Sequence, residues 1–167
     1  MATTTTTTTT TTSAGPTAER ASEPQAAQAI PKCADLIGEH LESRMEDISA
    51  AWAAYLRGEE DGPEDTGPIE QYGLSFAYHP GEGSLRGYWC WLISWGGPSE
   101  EFRFYGESVH EYHATLDRIE FRYHDWFDGA GQDIPIDSKH GQILAAWFAN
   151  LAECGSVHHV RAQALEG

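Results

Sequence analysis

The chain is poor in cysteine. It has three cysteines in 167 residues, Cys33, Cys90 and Cys154, and no CxxC pair. Cysteines this few and scattered exclude a disulfide framework, and an odd number would leave one thiol unpaired in an oxidising compartment. A cysteine-based zinc site is excluded as well, because such sites need closely paired cysteines. We expect reduced, mostly buried thiols and a cytoplasmic protein.

Basic residues are also scarce. Lys and Arg total 10 against 26 Asp and Glu, which gives a formal net charge of −16. Phosphate repels so acidic a chain, so the composition excludes nonspecific nucleic-acid binding and disfavours an anionic membrane surface. No run approaches the roughly 18 apolar residues of a membrane helix, and the first residues lack the basic start and apolar middle of a signal peptide. We therefore expect neither nucleic acid nor a membrane as a direct partner.

The first 30 residues contain little that a core could bury. Ten consecutive threonines, Thr3 to Thr12, precede a segment rich in Ala, Pro, Ser, Glu and Gln. This composition predicts a disordered tail over residues 1–30 and a single domain over residues 31–167. Nine basic and 24 acidic residues follow position 30, so the predicted domain itself carries a net charge of −15.

Apolar residues recur at helical spacing between Pro31 and Arg57. Their intervals of three and four residues predict an amphipathic helix, with Pro31 in its first turn and Gly58 at its end. The carboxylates of the segment lie mostly away from the apolar stripe, so one face packs and the other is acidic. The stripe comprises Ile37, Leu41, Met45, Ile48, Trp52 and Tyr55.

Four segments after residue 70 have the two-residue alternation of strands. They are YGLSFAY, GYWCWLISWG, EEFRFY and LDRIEFRYHDWF. The second is apolar on both sides, which is typical of a central strand covered on both faces. Asp137 is suited to cap a closing helix that ends at Gly155. Because the strand connections are short enough for hairpins, the predicted fold is α+β: an antiparallel four-stranded β-sheet flanked by an N-terminal and a C-terminal helix.

The histidines and nucleophilic side chains form no catalytic motif. His110 and His113 are three residues apart rather than the four of HExxH, and the other histidines specify no metal geometry. Cys90 lies between two tryptophans and Cys154 on the expected inner side of the last helix, where thiols usually fill a core. The serines have no GxSxG setting, and no Gly-rich phosphate loop is present. The sequence predicts no metal and no cofactor.

The tryptophans of the second strand have two interpretations. Trp89, Trp91 and Trp95 share one strand face and could form a stacking platform for a sugar or a base. We favour the core beneath the two helices, because amphipathic helices need a wide apolar face to cover.

A candidate acid–base site follows the fourth strand. His124, Asp125 and Asp128 surround two aromatic residues, and aromatic shielding raises a carboxyl pKa, as acid–base catalysis requires. The competing interpretation is ordinary turn chemistry for Asp128, with Asp125 in an ion pair with Arg103 or Arg122. We favour the turn.

The densest acidity lies on the first helix and in the segment GEEDGPEDTGPIE that follows it. One interpretation is a solvated, solubilising face. The other is a surface complementary to a basic partner, and a helix face supplies the rigid, regular spacing that a DNA mimic needs. The residues predicted to bind the partner are Glu39, Glu42, Glu46, Asp47, Glu59, Glu60, Asp61, Glu64 and Asp65.

The segments YWCWLISWGGPSEEFRFY and IEFRYHDWFDGA resemble a motif pair of small uncharacterised proteins of bacterial plasmids and other mobile elements. The resemblance covers about residues 70–130. It implies a mobile-element accessory protein, with anti-restriction or other anti-defence activity as its class and DNA mimicry as one mechanism. No catalytic or binding residues carry over from it, since the motifs consist mainly of aromatic strand residues and turns.

These observations predict a non-enzymatic acidic protein that binds a basic, nucleic-acid-binding protein through the first helix and the following loop. The alternative is a small-molecule binder or acid–base enzyme with its site around His124, Asp125 and Asp128, with Trp126 and Arg103 contributing.

Overall fold

The computed structural model describes residues 31–167. The tail predicted for residues 1–30 lies outside the described residues. A long helix and a short one precede a five-stranded sheet, and two helices follow it. The helices are α1 (Cys33–Leu56), α2 (Ile69–Tyr72), α3 (Lys139–Glu153) and α4 (Ser156–Glu166), and the strands are β1 (Ser75–His79), β2 (Tyr88–Ser94), β3 (Ser99–His110), β4 (His113–Asp125) and β5 (Asp128–Ile134).

The five strands form an antiparallel meander in chain order. Trp91, Phe102 and Phe121 occupy one row across β2, β3 and β4. The predicted antiparallel α+β architecture is therefore confirmed, but the prediction of four strands is wrong. β5 has the sequence DGAGQDI, and Gly and Asp are depleted in strands, so its own residues do not indicate a strand. It forms because β4 supplies a partner, for example at the pair of Ile119 with Ile134.

The apolar stripe of α1 faces the core, as its spacing predicts. Four of the six predicted stripe residues are buried and the other two are half-buried. The helix begins at Cys33 rather than at Pro31, and the left-handed Gly58, at φ +75°, follows its end. The sheet caps the helix, because the backbone N–H of Cys33 donates to Asp128 Oδ2 at 2.7 Å. This bond joins the start of α1 to the start of β5.

The C-terminal helical region departs from the prediction in three places. Ser138, not Asp137, caps α3, and its hydroxyl accepts a hydrogen bond from the N–H of Gly141 at 3.0 Å. Gly155 does follow the end of α3 in a left-handed conformation, at φ +78°, but α4 continues beyond it as an unpredicted helix. Cys154 caps the C-terminal end of α3 and is exposed, so the prediction of an inner-face thiol is wrong.

The core lies between the helices and one face of the sheet. Trp89 and Trp91 belong to it, at 0% and 4% exposure, which supports the core interpretation over a stacking platform. Trp95 follows β2 and is 79% exposed, so it does not share their environment. The indole N–H of Trp89 donates to the carbonyl of Val157 at 3.0 Å and thereby fastens α4 to β2.

The opposite face of the sheet, termed the open face, is not covered by any helix of residues 31–167. β2 is therefore covered by helices on one side only, which corrects the prediction of two covered faces. Tyr88 and Leu92 are nevertheless half-buried there, among side chains of neighbouring strands. The open face includes Tyr88, Cys90, Leu92, Glu101, Arg103, Tyr105, Arg118, Glu120 and Arg122.

Candidate functional site

The exposed carboxylates of α1 lie in one row, termed the acidic ridge. Glu39, Glu42 and Glu46 are exposed and follow one another at three and four residues, which places them on one helix face. Like charges at these spacings destabilise a helix by about 0.2–0.5 kcal/mol per pair. Glu42 lies 3.6 Å from His140 Nε2, whereas Glu39 and Glu46 have no ion-pair partner within residues 31–167. The ridge is thus accessible and largely uncompensated.

Asp47, the fourth predicted binding residue of α1, has a structural role. The hydroxyl of Tyr72 donates to Asp47 Oδ2 at 2.9 Å, and the Arg44 guanidinium is 3.9 Å from the same oxygen. Burial raises the pKa of Tyr72 to about 12; Asp47 adds to this shift and Arg44 opposes it. Tyr72 therefore keeps its proton, and the hydrogen bond holds α2 against α1.

The acidic loop, residues 57–68 between α1 and α2, folds back on itself. The carbonyl of Pro63 accepts hydrogen bonds from the N–H groups of Thr66 and Gly67, at 3.2 and 2.7 Å. Gly62 has φ +65°, and a Cβ there would clash with the Gly67 carbonyl, so this turn requires glycine. The carboxylates of the loop are therefore presented on a backbone of defined shape.

Glu59 is the paired member of the acidic loop. The Arg57 Nε–H donates to Glu59 Oε1 at 2.6 Å, and this hydrogen bond holds the pKa of Glu59 below its ordinary value. Both side chains are about half exposed, so the pair contributes little stability. The other four predicted loop residues are exposed and have no ion-pair partner in the described part of the chain. They are Glu60, Asp61, Glu64 and Asp65.

An aromatic groove borders the acidic loop. It consists of two cavities, of about 180 and 430 Å³, that share Tyr55 and Glu70. The smaller cavity lies between the end of α1 and α2, and Glu59 and Glu60 are part of its lining. The larger one lies between β1 and the junction of α3 with α4, and its volume falls within the ordinary range of ligand pockets. Its lining includes Phe76, Trp91, Trp147, Asn150, Leu151 and Cys154.

Trp147, which is part of the lining of the larger cavity, has a buried hydrogen-bond donor without a partner in the described part of the chain. Trp147 is 3% exposed, and its indole N–H has no acceptor within residues 31–167. Leaving a buried donor unpaired costs about 1–3 kcal/mol. Trp91 lies beside it, with ring centroids 5.7 Å apart, and Asn150 Nδ2 donates to the Tyr55 hydroxyl at 3.0 Å. The second contact links α3 to α1 at the groove.

Glu100 is a buried carboxylate that fixes α1 to the sheet. It is 1% exposed, accepts a hydrogen bond from Arg44 Nε at 2.7 Å and lies 2.7 Å from His40 Nδ1. The hydroxyl of Ser94 donates to it at 3.1 Å. Glu100 was not recognised from the sequence, although the strand alternation places it on the same face as Phe102. These bonds orient the helix that carries the acidic ridge.

The predicted acid–base site is a two-residue hairpin turn. Asp125 and Asp128 pair across it, and Trp126 and Phe127 at its tip are 83% and 102% exposed. The aromatic rings therefore do not shield the carboxylates from water. The hydrogen bond from the Cys33 N–H is the main reason that the pKa of Asp128 lies below its ordinary value. A general acid needs the opposite shift.

The arginines expected to pair with Asp125 bind other carboxylates. Arg103 Nε donates to Glu101 Oε1 at 2.6 Å, and Arg122 Nη1 donates to Glu120 Oε1 at 3.3 Å. The structure thus brings His124, Asp125 and Asp128 to one turn, as their sequence proximity requires. It gives Asp128 the role of a helix cap and leaves Asp125 without either of the expected arginines.

A cluster of paired charged side chains on the open face was not recognised from the sequence. Glu120 is 8% exposed and accepts a hydrogen bond from the Tyr105 hydroxyl at 3.0 Å, in addition to the bond from Arg122. Arg118 is 3.6 Å from the same carboxylate. Strand alternation indicates that these side chains share a polar face, but only the register of β3 against β4 shows that they meet. Arg122 Nε remains buried and unpaired within the described residues.

Cys90 lies in the neighbouring part of the open face. Its thiol donates to Glu101 Oε2 at 3.3 Å, and burial, together with Glu101, raises its pKa to about 12. The guanidinium of Arg103 lies 4.5 Å from the centre of the Tyr88 ring. Cys90 is buried as predicted, but on the open face and not in the core beneath the helices. Its protonated thiol is a poor nucleophile at neutral pH.

Among residues 31–167, no group of three or more His, Cys, Asp or Glu side chains is arranged to hold a metal ion. His110 and His113 meet at the end of the hairpin between β3 and β4, with ring centroids 5.3 Å apart. No helix in the described part of the chain is long and apolar enough to cross a membrane.

These features define a small α+β protein with helices on one face of a five-stranded meander and an acidic surface beside an aromatic groove. No family model, curated protein or solved structure matches the chain. The resemblance to proteins of mobile elements therefore stays a prediction.

Proposed function

We propose that this protein binds a basic protein partner through the acidic ridge and the acidic loop and carries out no chemistry itself. One observation carries the proposal. Six of the nine predicted binding residues are exposed and have no ion-pair partner within residues 31–167, so their charge is available to another molecule. They are Glu39, Glu46, Glu60, Asp61, Glu64 and Asp65.

The ordered presentation of these charges supports a partner more than a merely solubilising role. The ridge keeps like charges at spacings where they repel, on a helix that Glu100 holds to the sheet. The loop keeps its carboxylates on a turn that requires Gly62. Solubility needs net charge but neither regular spacing nor a fixed backbone. A fixed anionic surface, in contrast, accelerates and orients association with a cationic one.

The acidic ridge is less densely charged than duplex DNA, and this difference indicates how much of the acidic surface a nucleic-acid site would need. Along α1, Asp35, Glu39, Glu42 and Glu46 extend over about 16 Å of helix axis, so one charge occurs per about 5.5 Å. Duplex DNA has one charge per about 1.7 Å, roughly three times the density. The ridge alone does not match a duplex. We therefore propose that the ridge and the loop together occupy the nucleic-acid site of the partner.

The first test is capture from a cytosolic extract of the source organism, followed by affinity measurements with the purified partner. We expect a basic partner whose affinity falls at least about tenfold between about 50 and 500 mM salt, because screening shortens the range of exposed charges. The variant E39Q/E46Q/E60Q/E64Q should weaken binding at low salt and flatten the salt dependence.

The matched control is E82Q/E107Q/D137N/E166Q, which removes four exposed carboxylates outside the ridge and the loop. It should bind as the original protein does. Equal losses for both variants would show that only net charge matters, and an affinity independent of salt would contradict the proposed surface. Nucleic acid that competes with the protein for the partner would support occupation of the nucleic-acid site.

A further inference from the structure

We infer that the aromatic groove receives an arginine or lysine side chain of the basic partner. The inference rests on the proposed function and adds to it a specific receptor next to the diffuse acidic surface. Glu59, Glu60 and Glu70 line the smaller cavity, and Glu70 also lines the larger one. A cation therefore meets three carboxylates in the smaller cavity, and Glu70 is the carboxylate at the boundary with the larger one.

The walls of the groove match the rest of such a side chain. Tyr55, Trp91 and Trp147 line the larger cavity, and aromatic faces attract guanidinium and ammonium groups. The methylene stem of arginine or lysine packs well on apolar surface while its charged end stays near carboxylates. A purely apolar ligand would leave Glu60 and Glu70 desolvated without a counter-charge, and an anion would be repelled.

The net charge of the chain also favours a basic protein, and not a second copy of the chain, as the occupant of the groove. A second copy of this chain would add another −16, so electrostatic repulsion opposes self-association at an acidic site. A basic protein provides the complementary charge. The occupant is therefore a basic segment of the partner, with one arginine or lysine in the groove and its flanking charges on the acidic loop.

The test uses the full-length protein labelled with ¹⁵N and two small probes, N-acetyl-arginine methylamide and its norleucine counterpart. We expect the arginine probe to shift the Trp147 indole N–H resonance in a saturable manner. The norleucine probe, which has the stem but no charge, should bind at least about fivefold more weakly. E60Q/E70Q should lower the affinity for the arginine probe by about fivefold. Both residues are exposed, so the variant should fold normally.

The control E82Q/E107Q removes two carboxylates far from the groove in sequence and should leave the probe affinity unchanged. Equal affinity for the two probes, or no shift of the Trp147 resonance, would overturn the inference. A salt-dependent partner whose binding E60Q/E70Q does not alter would overturn the groove assignment while the proposed function stands. If the arginine probe bound the groove but the extract yielded no basic partner, the proposed function would be overturned and, with it, the assignment of a partner side chain.

Discussion

Glu100 shows how a single buried carboxylate can organise a surface elsewhere. Its partners Arg44 and His40 are on the same helix as the acidic ridge, and the ridge glutamates alternate with them along the chain. Burying an ion is costly unless its partners satisfy it, and here three nitrogens and a hydroxyl do so. The residue therefore contributes to the orientation of α1 more than to the charge that a partner would meet.

Replacing Glu100 with alanine should destabilise the protein by about 3 kcal/mol, the low end of the range for a broken buried pair. The low end applies because Arg44 is 31% exposed and water can partly solvate it. Urea unfolding measures the change. The control E107A removes an exposed glutamate and should change the free energy of unfolding by less than about 0.5 kcal/mol. Equal effects for the two variants would contradict the anchoring role.

The stability that the Asp128 carboxylate contributes should depend on pH. Its carboxylate caps α1, and its pKa in the folded protein lies below the ordinary value of 3.8. A lowered folded-state pKa contributes stability that is fully present above the unfolded-state value and is lost as the pH falls below about 4. D128N should therefore be less stable than the original protein at pH 7, and the difference should shrink in acid.

Urea unfolding of D128N at several pH values between neutral and about 2.5 measures this difference. D137N is the matched control, since Asp137 is exposed and does not cap α3. A difference that stays constant with pH would show that Asp128 acts through packing and not through its charge.

The hairpin between β4 and β5 contains a strained backbone position. Trp126 has φ +42°, a left-handed conformation that bulky residues rarely adopt. Its ring packs against Gly97, where an added Cβ would clash with the indole. Most of the ring is nevertheless exposed, so the contact offsets little of the backbone strain.

Replacing Trp126 with glycine should therefore stabilise the fold, by about 1 kcal/mol, because glycine adopts positive φ freely. F127G is the matched control: Phe127 is also exposed but has no positive φ, so glycine there should destabilise by about 0.5–1 kcal/mol. Thermal unfolding of both variants compares them. Two destabilised variants would mean that the Trp126 ring contributes more than its exposure suggests.

Elements with strong periodicity were predictable from the sequence, and weakly patterned ones were not. α1 and the central strands have clear apolar repeats, which fix the buried face before any tertiary contact is known. α4 buries only Val157 in full, so its sequence has little helical stripe to recognise. β5 likewise depends on the edge that β4 provides, and this edge is a tertiary feature.

The candidate site likewise has a part that was predictable from the sequence and a part that was not. The acidic residues were predictable because composition and spacing expose a charged helix face and loop directly. The aromatic groove was not, because Tyr55, Phe76 and Trp147 come from three elements that are distant in the chain. Only the packing of α1, β1 and α3 brings them together. The balanced network of the open face depends similarly on strand register.

The two polar surfaces of the molecule differ in how their charges are paired. The open face pairs its arginines with glutamates, as in the contacts of Arg103 with Glu101 and Arg122 with Glu120. Its charges are internally balanced. The ridge and the loop leave most of their carboxylates without a counter-ion among residues 31–167, so they account for the available negative charge that the proposed function uses.

Because the start of α1 is bonded to the start of β5, the partners of α1 are synthesised late. Cys33 and Asp128 are 95 residues apart, and α1 packs mainly on the last two strands. A ribosome therefore releases α1 long before the sheet edge that covers its apolar stripe. Until residue 134 emerges, the nascent chain has an amphipathic helix with one anionic face and one uncovered apolar face. This is the state in which a chaperone would bind it.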